Sequence, residues 1–521
     1  MRAARFRTLR TLLALVSLLL LTGGRAANAK ERPWIELQSR NFLVVSNEEP
    51  EEAVALLRDL ELFRSVVLKV TNTRVYEARI PTIIYLFRDR RSFAPFRPGR
   101  NVAGYVLPTA HGNYIAIDGG TKALETSETI HHEYVHFLVR NAGGFHYPIW
   151  YDEGFADFLS TVEVDGDQMV IGKIPTLRAG WLKNERPISF ERVTNARSYD
   201  DFGSQSKSMF YAQSWLLVHY LLTGHLHKDR IEKNRFPELI RYLELVNQGV
   251  ESSEAIEQAF EGGKKGLRKG ARKHHARRRF QVLAISVSSL PPVEEPAVRR
   301  MASGEVNRYL GELALRLGPE HVEQALGFFE RAVQDAPADA RALAGLGTVL
   351  EFHGRGVEAQ EALARAVAMA PDDPRVHLAL ADHLAWRAGF AHDGVAPDER
   401  RAVREEAREH YQRCISLEPD LPAARFGLGA TYRGQGGDLA PGIAALETAH
   451  AQLLGDTRIS LELARLYAET GASEKARRLL GEVMQWSRDD DEIETARQLL
   501  ADLDAPGPAE PAASEDAALS R

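Results

Sequence analysis

An α+β domain followed by an all-α repeat solenoid is the fold class that the 521-residue sequence predicts. Three observations carry that prediction. Short apolar runs at strand spacing lie between residues 34 and 118, with one helical stretch among them. From 126 to 260 the apolar residues recur at helical spacing. From about residue 306 a 34-residue period sets in. A chain of 521 residues is too long for one hydrophobic core, and 44% hydrophobic residues with 24 prolines is ordinary for globular protein.

The N-terminal stretch reads as an address. MRAARFRTLR is basic, TLLALVSLLLLTGG is apolar, and RAANA is small, which is the pattern of a secretory signal over residues 1–29. Cleavage is expected after Ala29, because Ala27 and Ala29 form the A-x-A. The apolar run falls short of the roughly 20 residues of a membrane span, so an uncleaved anchor is the alternative. Loss of 1–29 removes five arginines and no acids, leaving 61 basic against 72 acidic residues and a net charge of −11. That balance argues against nucleic acid as a partner. The one cysteine, Cys414, allows no intramolecular disulfide, and no cysteine stands at the cleavage point to carry a lipid. An exported, periplasmic bacterial protein is expected.

The elements follow in order. WIELQSRNFLVV (34–45) alternates like a strand, and EEPEEAVALLRDLELFRSVVLKV has an acidic start and a helical apolar stripe. IPTIIYLF (80–87) is a short β-rich run, and GYVLPTAHGNYIAID (104–118) reads as two strands around a Gly/Asn turn. Together they make a small mixed layer, 30–125. Helices are expected over 127–141, 151–162, 205–223, 236–247 and 252–260, with a polar loop between the second and third. KKGLRKGARKHHARRR (264–279) holds nine Lys/Arg, which reads either as contact with an anionic envelope surface or as the solvated face of a helix. FQVLAISV looks like a strand closing a domain at 30–285, and SSLPPVEEP opens a linker, 286–305.

The repeat occupies 306–503, and 504–521 is a Pro/Ala/acid-rich tail expected to be disordered. Ala325, Ala332 and Pro337 recur as Ala359, Ala366 and Pro371. Leu346 and Gly347 recur as Leu380 and Ala381. A 48-residue step leads on to Ala407, Cys414, Pro419, Leu428 and Gly429, so one unit carries a 14-residue insertion near GFAHDGVAPDE. Small residues at a fixed period are what two closely crossing helices require. Five imperfect units resemble the tetratricopeptide repeat, which implies an array that binds a peptide or protein partner, or a scaffold without a peptide ligand.

The chemistry gathers in ETIHHEYVHFLV and YPIWYDEGFADFLS. On a helix, His132 and His136 share one face, and Glu133 lies about 100° around, near enough to serve a water on the same metal. This is H-E-x-x-H, a zinc metallopeptidase pattern. His131 falls on the packed side with Val135 and Leu138 and is set aside as a ligand. A zinc enzyme needs three protein ligands and an open position. Glu153 and Asp157 stand four apart on an apolar helix, so Glu153 can ligate while Asp157 takes the far nitrogen of a ligand histidine. His146 is a weaker rival, and Asp152 is expected to point about 100° away from Glu153. Val139 and Ala142 occupy the positions where a metzincin needs Gly and His.

HHEYVHFLV, PIWYDEGFADFLS and SMFYAQSWLLVHYLL, in that order, resemble the peptidase-MA-like branch of the gluzincin metallopeptidases over roughly 34–285. The resemblance implies a small sheet beside a helical lobe with the zinc helix between. It implies one Zn2+ on His132, His136 and Glu153, with Glu133 as general base and Asp157 behind the ligands. It also suggests a tyrosine as oxyanion donor, with Tyr211 in MFYAQSW the best match and Tyr220 the alternative. No G-x-M-E-N signature precedes the zinc helix, which leans the reading toward an endopeptidase. GNYIAID (112–118) is a candidate edge strand for substrate backbone. The competing expectation is an inactive or structural-zinc scaffold whose repeats dock a partner.

Overall fold

The computed structural model describes residues 32–71, 82–99, 102–120, 123–142, 146–198, 201–227, 233–277, 279–390, 396–487 and 489–505. The signal segment 1–29, most of the expected tail, and part of the expected insertion (391–395) lie outside these residues.

The first unit is β1 (Ile35–Gln38), β2 (Phe42–Ser46), α1 (Pro50–Val70), β3 (Thr82–Phe87), α2 (Arg90–Phe93), β4 (Gly104–Thr109) and β5 (Gly112–Asp118). Pro50 opens α1, with Glu51 and Glu52 in its first turn and Lys69 in its last, in keeping with the helix dipole. Glu61 of α1 is buried and accepts from Asn41 N (3.0 Å), Asn41 Nδ2 (2.7 Å) and Ser39 Oγ (2.6 Å), tying the β1–β2 turn to the helix.

The helical lobe follows with α3 (Ala123–Ala142), α4 (Ile149–Ser160), β6 (Glu163–Asp165), β7 (Gln168–Ile171), α5 (Thr176–Asn184), α6 (Phe190–Thr194), α7 (Ser204–Thr223), α8 (Phe236–Asn247), α9 (Ser252–Ala259), α10 (Gly263–Ala276) and β8 (Leu283–Ser286). The expected polar loop after α4 therefore holds the β6–β7 hairpin, to which β8 adds, and two short helices. Its strands are only three and four residues long, too short for a period to show. Helix α10 carries the basic run. Lys265, Lys269, Arg272 and Lys273 are exposed, while Leu267, Ala271 and His274 are buried.

Next comes β9 (Val298–Arg300), inside the stretch expected as a linker. It pairs antiparallel with β1 and completes a six-stranded sheet in the order β4-β5-β3-β2-β1-β9. Strand β5 lies inside the sheet, between β4 and β3, so the expectation of an edge strand at 112–118 is corrected: the edge on that side is β4. Both sheet faces are buried, which is why IIYLF reads as unbroken apolar sequence. Ile84, Leu86, Ile115 and Ile117 face the core shared with α1 and α3. Tyr85, Phe87, Tyr114 and Ala116 face the opposite way, onto residues 301–349.

Those residues begin the solenoid: α11 (Ser303–Arg316), α12 (Val322–Asp335), α13 (Ala340–Phe352), α14 (Gly356–Met369), α15 (Pro374–Phe390), α16 (Pro397–Leu417), α17 (Pro422–Ala430), α18 (Ala440–Gln452), α19 (Thr457–Glu469), α20 (Ser473–Trp486) and α21 (Asp490–Asp504). They form five hairpins and a closing helix. The period-marking Ala325, Ala332, Ala359, Ala366, Ala407 and Cys414 are fully buried. A Cβ on Gly347 would fall 2.6 Å from Leu363 Cγ, and one on Gly429 2.3 Å from Leu446 Cγ, so larger residues there would force the paired helices apart. The insertion lengthens both helices of its pair: α15 and α16 have 17 and 21 residues, against 13 and 14 in α13 and α14.

The solenoid is fastened to the sheet. The β4–β5 tip puts Ala110 into the repeat core. Ala423 N donates to Ala110 O (3.2 Å), Arg375 Nη1 to His111 O (2.8 Å), and His111 Nε2 pairs with Asp382 Oδ2 (3.1 Å). The chain's own hairpin thus occupies part of the array's surface. At the far end the ring of Trp486 stacks on His146, 5.1 Å between centroids. Among the described residues no helix is long and apolar enough to cross a membrane.

Candidate metal centre

Helix α3 buries Ile130, Tyr134, Val135 and Leu138, which fixes its rotation and leaves His132, Glu133 and His136 toward α4 and the cleft. Tyr134 is locked further by Arg64 Nη1, which donates to its hydroxyl at 3.0 Å. His131 behaves as expected of a packed residue. Its ring stacks on Phe63 at 3.9 Å, and its Nε2 lies 2.9 Å from Asp59 Oδ2.

Helix α4 starts after Pro148 and is buried along its whole length. It lies tight against α7 because of Gly154: a Cβ there would meet the Ser214 carbonyl oxygen at 2.4 Å. A glycine inside a helix costs about 1 kcal/mol against alanine, and here that cost permits the close approach.

Three donor atoms converge. His132 Nε2 is 3.2 Å from His136 Nε2, and Glu153 Oε2 is 3.1 Å from the first and 3.4 Å from the second. Their remaining nitrogens are each held by a carboxylate. Asp157 Oδ1 lies 2.9 Å from His132 Nδ1, and Asp152 Oδ1 lies 2.8 Å from His136 Nδ1. Asp157 stands where spacing placed it. Asp152, expected to turn about 100° from Glu153, is outside the donor set, and the crossing of α4 over α3 brings it to the far nitrogen of His136, a contact the spacing did not announce. His146, the rival ligand, lies instead under Trp486.

Two imidazoles and one carboxylate, each able to give one atom within 4.8 Å of the others, are a donor set that suits zinc with a fourth position left open. The charges agree. Burial opposes a proton on His132, but Asp157 and Glu153 override it and raise its pKa to about 10. Burial would raise Glu153, yet the two imidazoles hold it well below the usual carboxylate range. A metal bound there would take the place of the proton on His132.

Arg178 of α5 is a site residue that sequence reasoning missed. Its Nε donates to Asp157 Oδ2 at 2.7 Å, and its guanidinium lies 4.7 Å from the centre of the Tyr211 ring. Tyr211 is thereby held beside the cluster. Burial, and next the Glu153 charge, raise its pKa, so the phenol keeps its proton. Tyr220 is about 13 Å further along α7. It packs on α10, where a Cβ at Gly270 would be 2.0 Å from its hydroxyl.

Glu133 is exposed. With His136 and Phe137 it borders a cavity of about 210 Å³, whose other walls include Val106 and Thr109 of β4, Asn113, and the loop from Leu453 to Arg458.

Residues 317–382 and 435–503 match the family described as Tetratricopeptide repeat. The solenoid is built of tetratricopeptide repeats. Residues 126–240, from α3 through α7 to the start of α8, match a family described as a protein of unknown function (DUF1570). A comparison with curated proteins finds no match. Among solved structures, a thermophilic tetratricopeptide-repeat protein of Thermus thermophilus is 23% identical, covering 38% of this chain and 99% of its own at a TM-score of 0.33. YrrB, a tetratricopeptide-repeat protein with an unusual peptide-binding site, is 19% identical over 37% of this chain and 91% of its own, with a TM-score of 0.28. The type IV pilus biogenesis factor PilW is 16% identical over 38% and 90%, with a TM-score of 0.31. Tetratricopeptide arrays are protein-interaction modules, and that much of the function follows from the repeats.

Proposed function

We propose that the domain at 30–285 is an exported zinc-dependent peptidase of the gluzincin kind, acting as an endopeptidase on a peptide or protein substrate. The observation that carries this reading is the convergence of His132, His136 and Glu153, each imidazole backed by its own carboxylate, beside an exposed Glu133. Structural zinc sites are closed by four protein ligands. Among the described residues this one offers three, with a cavity next to it.

Zinc bound there would supply Lewis acidity, making a water acidic near neutral pH and polarising the scissile carbonyl. The chain's own residues do the rest. Glu133 takes the proton of the attacking water and passes it to the leaving amine. Tyr211, kept protonated, donates to the oxyanion of the tetrahedral intermediate. Arg178 holds Tyr211 and Asp157 in one arrangement. The outer edge of β4, unpaired with any strand among the described residues and bordering the same cavity as Glu133, can align substrate backbone as an added strand.

The decisive experiment compares wild type with Glu133→Gln for zinc content and for cleavage of an unfolded protein. The variant is expected to hold one zinc and to lose about 10²–10⁴-fold in rate. Full activity in Glu133→Gln would sink the mechanism. A wild-type chain without zinc would favour the second reading, a scaffold in which the tetratricopeptide array acts alone. The exposed basic side of α10 is proposed as the contact with an anionic envelope surface, and residues 1–29 as the export signal.

A further inference from the structure

We propose that the last tetratricopeptide repeats are a wall of the substrate cleft, and that they select an extended polypeptide segment bearing a bulky apolar side chain. The inference rests on the peptidase reading of the metal centre and says what that centre would act on.

Two neighbouring cavities carry it. The smaller, beside Glu133 and His136, is lined on one side by α3 and β4 and on the other by Leu453, Asp456, Thr457 and Arg458 of the array. The larger, about 980 Å³, shares Gly455, Thr457 and Glu492 with it and runs on past Asp152, the residue that holds His136. Anything seated beside Glu133 therefore touches repeat residues as well as the metal helix. The space is a slot between two bodies. Its volume of about 980 Å³ is that of a ligand site, on the scale of side chains of an extended segment.

The larger cavity holds an apolar patch beside polar groups such as Asp152, Glu251 and Glu492. Tyr147, Ile149 and Val250 face it from the helical lobe, and Met484, Trp486 and Leu500 face it from α20 and α21. Met484 is 37% exposed, an apolar side chain left open toward this slot. Apolar walls from both bodies suit one large apolar side chain between them. The position is held, because Trp486 stacks on His146 and Gln485 Nε2 reaches Val246 O at 3.5 Å. The array thus reads the substrate at the cleft itself.

The test uses the full chain, zinc-loaded and carrying Glu133→Gln, so that binding is read without turnover. The probe is a fluorescein-labelled unstructured peptide with one central phenylalanine, beside a twin with serine there. The parent chain is expected to bind the phenylalanine peptide more tightly. Adding Met484→Glu is expected to weaken that binding by about tenfold or more and to leave the serine peptide little changed. Met369→Glu, at an exposed methionine on α14, serves as control and is expected to bind like the parent. Equal binding of both peptides by the parent, no binding at all, or an unaffected Met484→Glu would each overturn the proposal. Loss of the peptidase reading would show separately, as zinc-loaded wild type that binds the peptide without cutting it.

Discussion

Asp152 Oδ1 accepts from His136 Nδ1 at 2.8 Å, one residue before the carboxylate that meets the ring's other nitrogen. Adjacent positions on α4 therefore serve both sides of one imidazole. Asp157 does the same for His132 and also holds Arg178. The two aspartates should separate on substitution. Asp152→Asn and Asp157→Asn are each expected to weaken zinc binding about 10–100-fold, measured by competition with a chelator. Only Asp157→Asn strips the charge partner from Arg178, so it alone should also lower unfolding stability in urea, by about 3 kcal/mol. Equal stability of the two variants would contradict the distinct role of Arg178.

Tyr211 and Tyr220 give an equally direct contrast. Tyr211→Phe is expected to lower kcat about 10²–10³-fold with KM nearly constant, the mark of a contact made in the transition state. Tyr220→Phe, at a residue packed on α10, should leave both constants near wild type. Steady-state cleavage of a single peptide decides between them.

Acid should loosen the seam between lobe and array. His146 lies against Trp486, and burial, helped by the charge of His450, lowers its pKa from 6.5 to about 4. The folded value lies below the unfolded one, so the unfolded chain takes up the proton first as pH falls. The stability is intact above about pH 6.5 and is lost as pH falls toward about 4. This group accounts for up to about 3 kcal/mol of that loss. His146→Phe should not show this share in urea titrations at stepped pH. His219, lowered to about 3 by burial, acts in both chains and cancels in the comparison. Parallel pH curves would remove His146 from the account.

The hairpin tip can be tested by charge. Ala110 sits in the repeat core, so Ala110→Glu buries a carboxylate without a planned partner and should cost several kcal/mol of docking, on the order of 3 or more. The expected result is a larger radius of gyration by small-angle scattering with unchanged helix content. An unchanged radius would show that the other fastenings suffice.

Much of this was legible because it depends on local period. The turn of one helix puts His132 and His136 on a face, and the next helix does the same for Glu153 and Asp157. The 34-residue spacing of Ala325 and Ala359 follows from the close crossing of paired helices. What was not legible depends on how elements cross. Asp152 meets His136 through the crossing of α4 over α3, which no spacing within either helix announces. Arg178 comes from a stretch with no periodic signal and gains its place through Asp157. The strand β9 is three residues long and finds its partner more than 250 positions back. A lone glycine within an apolar helix was the one visible hint of the tight packing behind the site.

The Ala110–Ala423 bond has a last implication, for how this protein can vary. One end of the array is sewn to the sheet through residues 301–349, its middle to the β4–β5 tip, and its far end to His146. A solenoid free at one end can gain or lose a unit without consequence for what precedes it. Here one unit more or fewer between Ala340 and Ala423 would carry Leu453–Arg458 past Glu133 instead of beside it. The number of repeats is therefore a measured length, set by the span between the sheet and His146.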